Sequence, residues 1–240
     1  MAVKAVLFDM GYTLIEYDSE PEEIFRRVLD SMGFSTPIGE VKEAFSQTEQ
    51  ECRNLHSNYL LGGIPSKDYW VRWNSAVLKH LRLPHDEKLG KQIQDRWFDC
   101  FEWNAYPDVQ PTLNRLRRRG MKTGLVTTAY EEEIDIILRG ASLPREHFDV
   151  VIGADTLKCI KPHPGVFKHA LMELQVQPEE ALFVGDLLEV DYRPAEKAGM
   201  TAILIHRKEG IGRMEEGLRI IRGLEGVLEY IDSLPLQVRN

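Results

Sequence analysis

Five short apolar segments, none with the alternation of a strand exposed on one face, limit what this chain can fold into. Val3 to Phe8 mixes β-branched and other apolar residues and stops at Asp9; similar runs occupy Lys122 to Thr127, Val150 to Gly153, Ala181 to Gly185 and Thr201 to Ile205. Strands of this kind are buried on both faces. Each later run follows a helical stretch, and a β-α-β-α succession with short loops implies parallel strands joined by crossover helices. The expected class is α/β with a doubly wound parallel sheet.

The helices between the strands have readable edges: Pro111 to Arg119 ends at Gly120, Glu131 to Arg139 ends at Gly140, and Pro164 to Leu174 precedes Pro178. Arg219 to Ile221 is expected to add an edge strand and Gly223 to Leu234 a closing helix. Between about Ile15 and Asn104 the strand rhythm stops. Helical spacing replaces it at Ile24, Phe25, Val28 and Leu29, at Val41, Ala44 and Phe45, at Trp70, Trp73, Val77 and Leu81, and at Ile93, Trp97 and Phe101. All four tryptophans lie in this stretch. The expected layout is a Rossmann-like core formed by residues 1–15 and 106–240, with an all-α insertion at 16–105. Gly62 to Ser66 reads as a loop, with Ser66 as N-cap of the helix carrying Trp70.

The 240 residues carry 43% hydrophobic and 28% charged side chains, ordinary values for a soluble globular protein. A formal net charge of −8 opposes broad capture of nucleic acid or anionic membrane. Arg115, Arg117, Arg118 and Arg119 form the most basic run, but at a helix C-terminus, where cations complement the helix dipole. Cys52, Cys100 and Cys159 show no paired spacing and are expected to be buried free thiols. The seven histidines lack zinc spacing. The apolar run from Ala5 to Phe8 is too short for a signal sequence or membrane span. A cytoplasmic protein is expected, acting on a small molecule, with monomer and homodimer both open.

In a parallel sheet of this kind ligands bind beyond the carboxyl ends of the strands. Asp9 follows the first strand, Thr127 the second, Lys161 the third, and Gly185-Asp186 closes the fourth with Asp191 one turn on. A carboxylate nucleophile, a hydroxyl, a fixed cation and further carboxylates make a coherent site for phosphoryl transfer. Asp9 and Asp186 supply hard oxygen ligands for Mg²⁺, which neutralises a phosphate so that an anion can attack it. Lys161 adds positive charge where the transition state is negative, while Thr127, or the adjacent Thr128, and the N–H groups of the Met10-Gly11 loop hold phosphate oxygens.

With these residues in order, the chain resembles a haloacid dehalogenase-like superfamily hydrolase with an α-helical cap. The matching motifs are Asp9-Met-Gly-Tyr-Thr13, Thr127, Lys161-Pro162 and Gly185-Asp186 through Asp191. The resemblance implies an aspartyl-phosphate on Asp9 and Mg²⁺ held by Asp9, the Gly11 carbonyl and Asp186, with Asp191 as a further ligand or an orienter of bound water. It implies a phosphatase-type hydrolase acting on a small phosphorylated metabolite.

Gly11 departs from the pattern, because phosphatases of this family resemble one another in carrying there a second aspartate that protonates the leaving group. Losing a positioned acid typically costs about 10² to 10⁴-fold in rate. Slow turnover is therefore expected, with a phosphate- and metal-binding regulatory protein, or a dehalogenase- or phosphonatase-like hydrolase, as alternatives. Glu16, Asp18, Tyr59 and Lys67 are candidate replacement donors, and Tyr12 lies one residue out of phase.

Overall fold

The computed structural model describes residues 2–60, 63–207 and 217–234. The chain divides into two compact units, Met1–Glu16 with Asn104–Asn240, and Tyr17–Trp103. Eight strands are described: β1 (Ala5–Phe8), β2 (Ile15–Tyr17), β3 (Trp103–Ala105), β4 (Lys122–Val126), β5 (Val150–Ile152), β6 (Ala181–Gly185), β7 (Thr201–Ile205) and β8 (Ile220–Ile221).

Six of them form one parallel sheet in the order β5-β4-β1-β6-β7-β8, as the buried, non-alternating runs require. Phe8, at the end of β1, stands opposite Leu125 on one side and Val184 on the other. The chain fills one side of β1 with β4 and β5 before it fills the other with β6, β7 and β8. The end of β1 therefore lies at the reversal of winding, where such sheets open a crevice.

The helix Pro164–Leu174 shows how the sheet is covered. Phe167, Ala170, Leu171 and Leu174 are buried against Leu7, Val126 and Phe183, and the Phe167 and Phe183 rings meet edge to face at 5.0 Å. Fully burying one large apolar side chain contributes about 1.5–3 kcal/mol. This packing fixes the strand ends from which the polar residues project.

Several boundaries depart from the sequence expectation. The first crossover helix is Val109–Arg118, two residues earlier at its start than expected, because Pro111 falls among the opening positions whose N–H has no helical partner. The helix Glu131–Gly140 does end at Gly140, as expected, with Ala141 as its C-cap. The closing helix is Glu225–Ser233, and Gly223 and Leu224 form the turn before it.

The second unit is built on the helices Pro21–Ser31, Ile38–Glu51, Arg53–Leu60, Ser66–His80 and Glu87–Arg96. Ser66 opens its helix and Pro65 takes the N-cap position in an extended conformation, so the expected Ser66 N-cap is corrected. Gly62 lies outside the described residues. Phe25, Phe45 and Trp73 pack edge to face, with ring centroids 5.3 and 4.6 Å apart in succession. The stretch expected to be purely helical also carries strand: β2 pairs with β3 in a separate two-stranded sheet. Cys52 is buried, but Cys100 and Cys159 are only half-buried. Among the described residues no helix is long and apolar enough to cross a membrane.

Candidate active site

Asp9 is the first residue past β1, where its N–H still donates to Val184 O of β6 at 2.9 Å. Sheet hydrogen bonding thus holds the backbone while the carboxylate, in a residue only 7% exposed, projects from the strand end. The chain then doubles back tightly. Met10 O accepts the N–H groups of Leu14 and Ile15, both at 2.9 Å, and Tyr12 N–H donates to Ile15 O at 2.8 Å. Met10 buries its side chain and turns its N–H to the Asp9 carboxylate. Tyr12 sits in the left-handed region at φ 53°, costly for a bulky residue. Positive φ at described glycines is confined to Gly33, Gly120, Gly199 and Gly217, so the backbone at Gly11 suits an L-residue equally well.

Lys161 reaches the same point from the loop before Pro164–Leu174. Its ammonium is buried, hydrogen-bonds Asp9 Oδ1, and lies 2.7 Å from Asp191 Oδ1. Asp191 arrives by a different device. After β6 the chain makes one π-helical turn over Leu188–Tyr192, folding Asp191 back beneath the strand end. There its second oxygen accepts Leu187 N–H at 3.1 Å. The close approach needs Gly185: a Cβ at that position would lie 2.4 Å from Asp191 Cβ.

Oxygens of Asp9, Asp186 and Asp191 all lie within 4.8 Å of one another. Three carboxylates share one lysine, and the electrostatics reflect the deficit of positive charge. Burial pushes Asp9 up to about 6, with Lys161 opposing and Asp191 adding to the shift. Asp186 is pushed up to about 8 by burial and by the Asp9 and Asp191 charges. For Lys161, burial disfavours the ammonium, but Asp191 and Asp9 together hold its pKa above the ordinary value and keep it protonated. The donor set fits a hard divalent cation: clustered carboxylate oxygens, short of positive charge, in a partly dry site.

Asp9, Lys161, Asp186 and Asp191 converge. Thr127 follows β4, beside β1; it is buried and its Oγ1 accepts Ala129 N–H at 3.2 Å, whereas Thr128 is exposed. Met10 has only backbone to offer a ligand, since its side chain is core. Sequence reasoning missed Arg207, two residues past β7, whose guanidinium donates to Thr13 O. The rule that functional groups follow strand ends would have found it.

Comparison with known proteins gives the same family. The model for haloacid dehalogenase-like hydrolases matches residues 3–199, and the chain belongs to that family. A glyceraldehyde 3-phosphate phosphatase of Methanopyrus kandleri is 31% identical over 212 residues, 85% of this chain and 84% of that protein. An (S)-2-haloacid dehalogenase 4A of Burkholderia cepacia is 31% identical over 209 residues, 86% and 84% of the two chains. The crystal structure of a HAD phosphatase from Thermococcus onnurineus superposes with a TM-score of 0.61 at 28% identity, covering 95% of this chain and 98% of that one. The protein is a haloacid dehalogenase-like hydrolase.

Proposed function

We propose that this hydrolase is a Mg²⁺-dependent phosphatase of small phosphorylated metabolites, slow on leaving groups that need a proton. The observation that carries this reading is the convergence of Asp9, Asp186 and Asp191 on one point beside a buried lysine. Asp9, Asp186, Asp191 and the Gly11 carbonyl are the groups to hold Mg²⁺, which when bound supplies the positive charge that lets an anionic carboxylate approach a phosphate.

Asp9 is the nucleophile, held at the strand end by its backbone hydrogen bond to Val184. Its carboxylate displaces the leaving group from phosphorus and forms an aspartyl-phosphate, which water then hydrolyses. Lys161, fixed between Asp9 and Asp191, offsets the negative charge that grows on the phosphoryl oxygens. Thr127 and the loop N–H groups orient those oxygens. Gly11 has no side chain to protonate the departing oxygen, so aryl and acyl phosphates are the favoured substrates. The helical segment is assigned the cap's part in choosing among them.

A phosphometabolite panel with Mg²⁺ and a metal-free control tests this directly. Asp9→Asn is expected to abolish turnover of p-nitrophenyl phosphate; retained activity would overturn the mechanism. Gly11→Asp, on a backbone that accepts it, is expected to raise alkyl phosphate hydrolysis by about 10² to 10⁴-fold. Ligand binding with no product in either protein would instead identify a regulatory binder.

The Burkholderia relative and the glycine at position 11 favour one competing reading, carbon–halogen cleavage by the same carboxylate. Asp186 and Asp191 weigh against it, since that branch of the family works without a metal. Chloride release from a 2-chloro acid is the result that would decide for it.

A further inference from the structure

Arg207 occupies a position that the phosphatase reading leaves without a part. Its side chain is 8% exposed. Nε and Nη2 both donate to Thr13 O, at 3.2 and 2.7 Å, while Nη1 meets Asp108 Oδ2 at 2.6 Å. The guanidinium lies over the Tyr106 ring, 4.1 Å from its centroid. Asp108 Oδ2 also accepts Leu224 N–H at 2.7 Å, and Tyr106 N–H donates to Leu14 O at 3.0 Å. One planar cation therefore ties the end of the nucleophile loop to the segment before Val109–Arg118 and, through Asp108, to the turn before the closing helix.

The loop it grips is one that needs gripping. Tyr12 is held at φ 53°, a conformation a tyrosine leaves unless its surroundings impose it. Thr13 is fully buried, yet its Oγ1 has no hydrogen-bond partner among the described residues. The threonine side chain therefore ties down nothing polar there, and the carbonyl next to it takes two charge-assisted bonds from Arg207. Asp9 stands only four residues upstream, with Gly11 between.

We propose that Arg207 is a positioning residue for the reaction at Asp9: its double hydrogen bond to Thr13 O sets the Asp9–Thr13 loop, and with it the nucleophile and the Gly11 carbonyl. The proposal rests on the phosphatase reading. It separates Arg207 from an arginine that merely stabilises the fold, because it places the loss in turnover and not in substrate binding.

Arg207→Met and Arg207→Lys test it, with wild type and Asp9→Asn as references, each assayed well below its unfolding midpoint with p-nitrophenyl phosphate and Mg²⁺. Misplacing reacting groups by about 1 Å costs on the order of 10²-fold, so kcat is expected to fall about 10- to 100-fold with KM within about twofold. Lysine, unable to serve Thr13 O and Asp108 together, is expected to restore only part of it. Amide exchange at residues 10–14 should quicken in both variants. If Arg207→Met does not fold, Arg207→Lys decides by the same criteria. Wild-type kcat, or unchanged amide protection, in a folded variant overturns the proposal alone. Turnover surviving in Asp9→Asn overturns the phosphatase reading and this proposal with it.

Discussion

In the unit Tyr17–Trp103 charge stays close to solvent, while in the sheet unit the same residue types are driven inside at one end of the strands. Arg26 pairs with Glu23 and Asp30 with side chains 30–41% exposed, and Lys91 pairs with Asp95 at 66% and 56%. Lys161 and Asp191 meet at 2% and 1%, with Asp9 at 10%. Exposed pairs contribute about 0–1 kcal/mol, whereas burying a pair carries a desolvation penalty that its attraction does not reliably offset. The helical unit gains its stability from rings such as Phe25, Phe45 and Trp73. Buried charge in the sheet unit is therefore not explained by stability alone.

The sharpest way to break this contrast is Lys161→Met. It leaves Asp9 and Asp191 facing each other without a cation, and is expected to remove about 3–5 kcal/mol of stability in denaturant unfolding at pH 8. Turnover should fall by on the order of 10² to 10³-fold. A loss under about 1 kcal/mol would mean that the buried lysine is not compensating its neighbours. Next in size is Trp73→Ala, expected to cost about 3 kcal/mol from lost aromatic packing. It should leave the response to Mg²⁺ unchanged, since no charged group is touched.

A smaller effect tests the acidic cluster through pH. Asp9 and Asp186 sit near 6 and 8 in the folded chain against an ordinary 3.8, so the native state binds more protons than the unfolded one between about pH 4 and 8. Metal-free stability from these groups is then greatest below pH 4 and is lost as pH rises to about 8. Mg²⁺ must displace those protons, so its stabilisation grows over the same window. Thermal midpoints with and without Mg²⁺ should differ by roughly 3 °C more at pH 8 than at pH 5.5. An equal shift at both values would show that these carboxylates do not meet the metal. Least of all, Lys91→Ala should change stability by under about 0.5 kcal/mol.

The sheet was legible because its strands are short, largely apolar runs, and the residues just past two of them are Asp9 and Asp186, while Lys161 lies well past β5 in the loop before Pro164–Leu174. Pro111 misled the helix boundary because a helix tolerates proline anywhere in its first turn. Strands β2 and β3 carry three residues each, too few for a period to register. The π-helical turn that returns Asp191 to Lys161 has no composition of its own; it is visible only as the hydrogen bonds from Asp191 and Tyr192 N–H to Leu187 O. Arg207, two residues past β7, lay within reach of the strand-end rule, but nothing in its own stretch of sequence ties it to Thr13 and Asp108, 194 and 99 residues away.

Gly185 leaves a practical legacy. The space its missing side chain vacates is filled by Asp191, and even a methyl group there would strike that residue. Any library built on this scaffold should leave codon 185 untouched. Alanine at 185 would leave net charge and every ionisable group as they are, yet it would have to push Asp191 off its present seat beside Lys161.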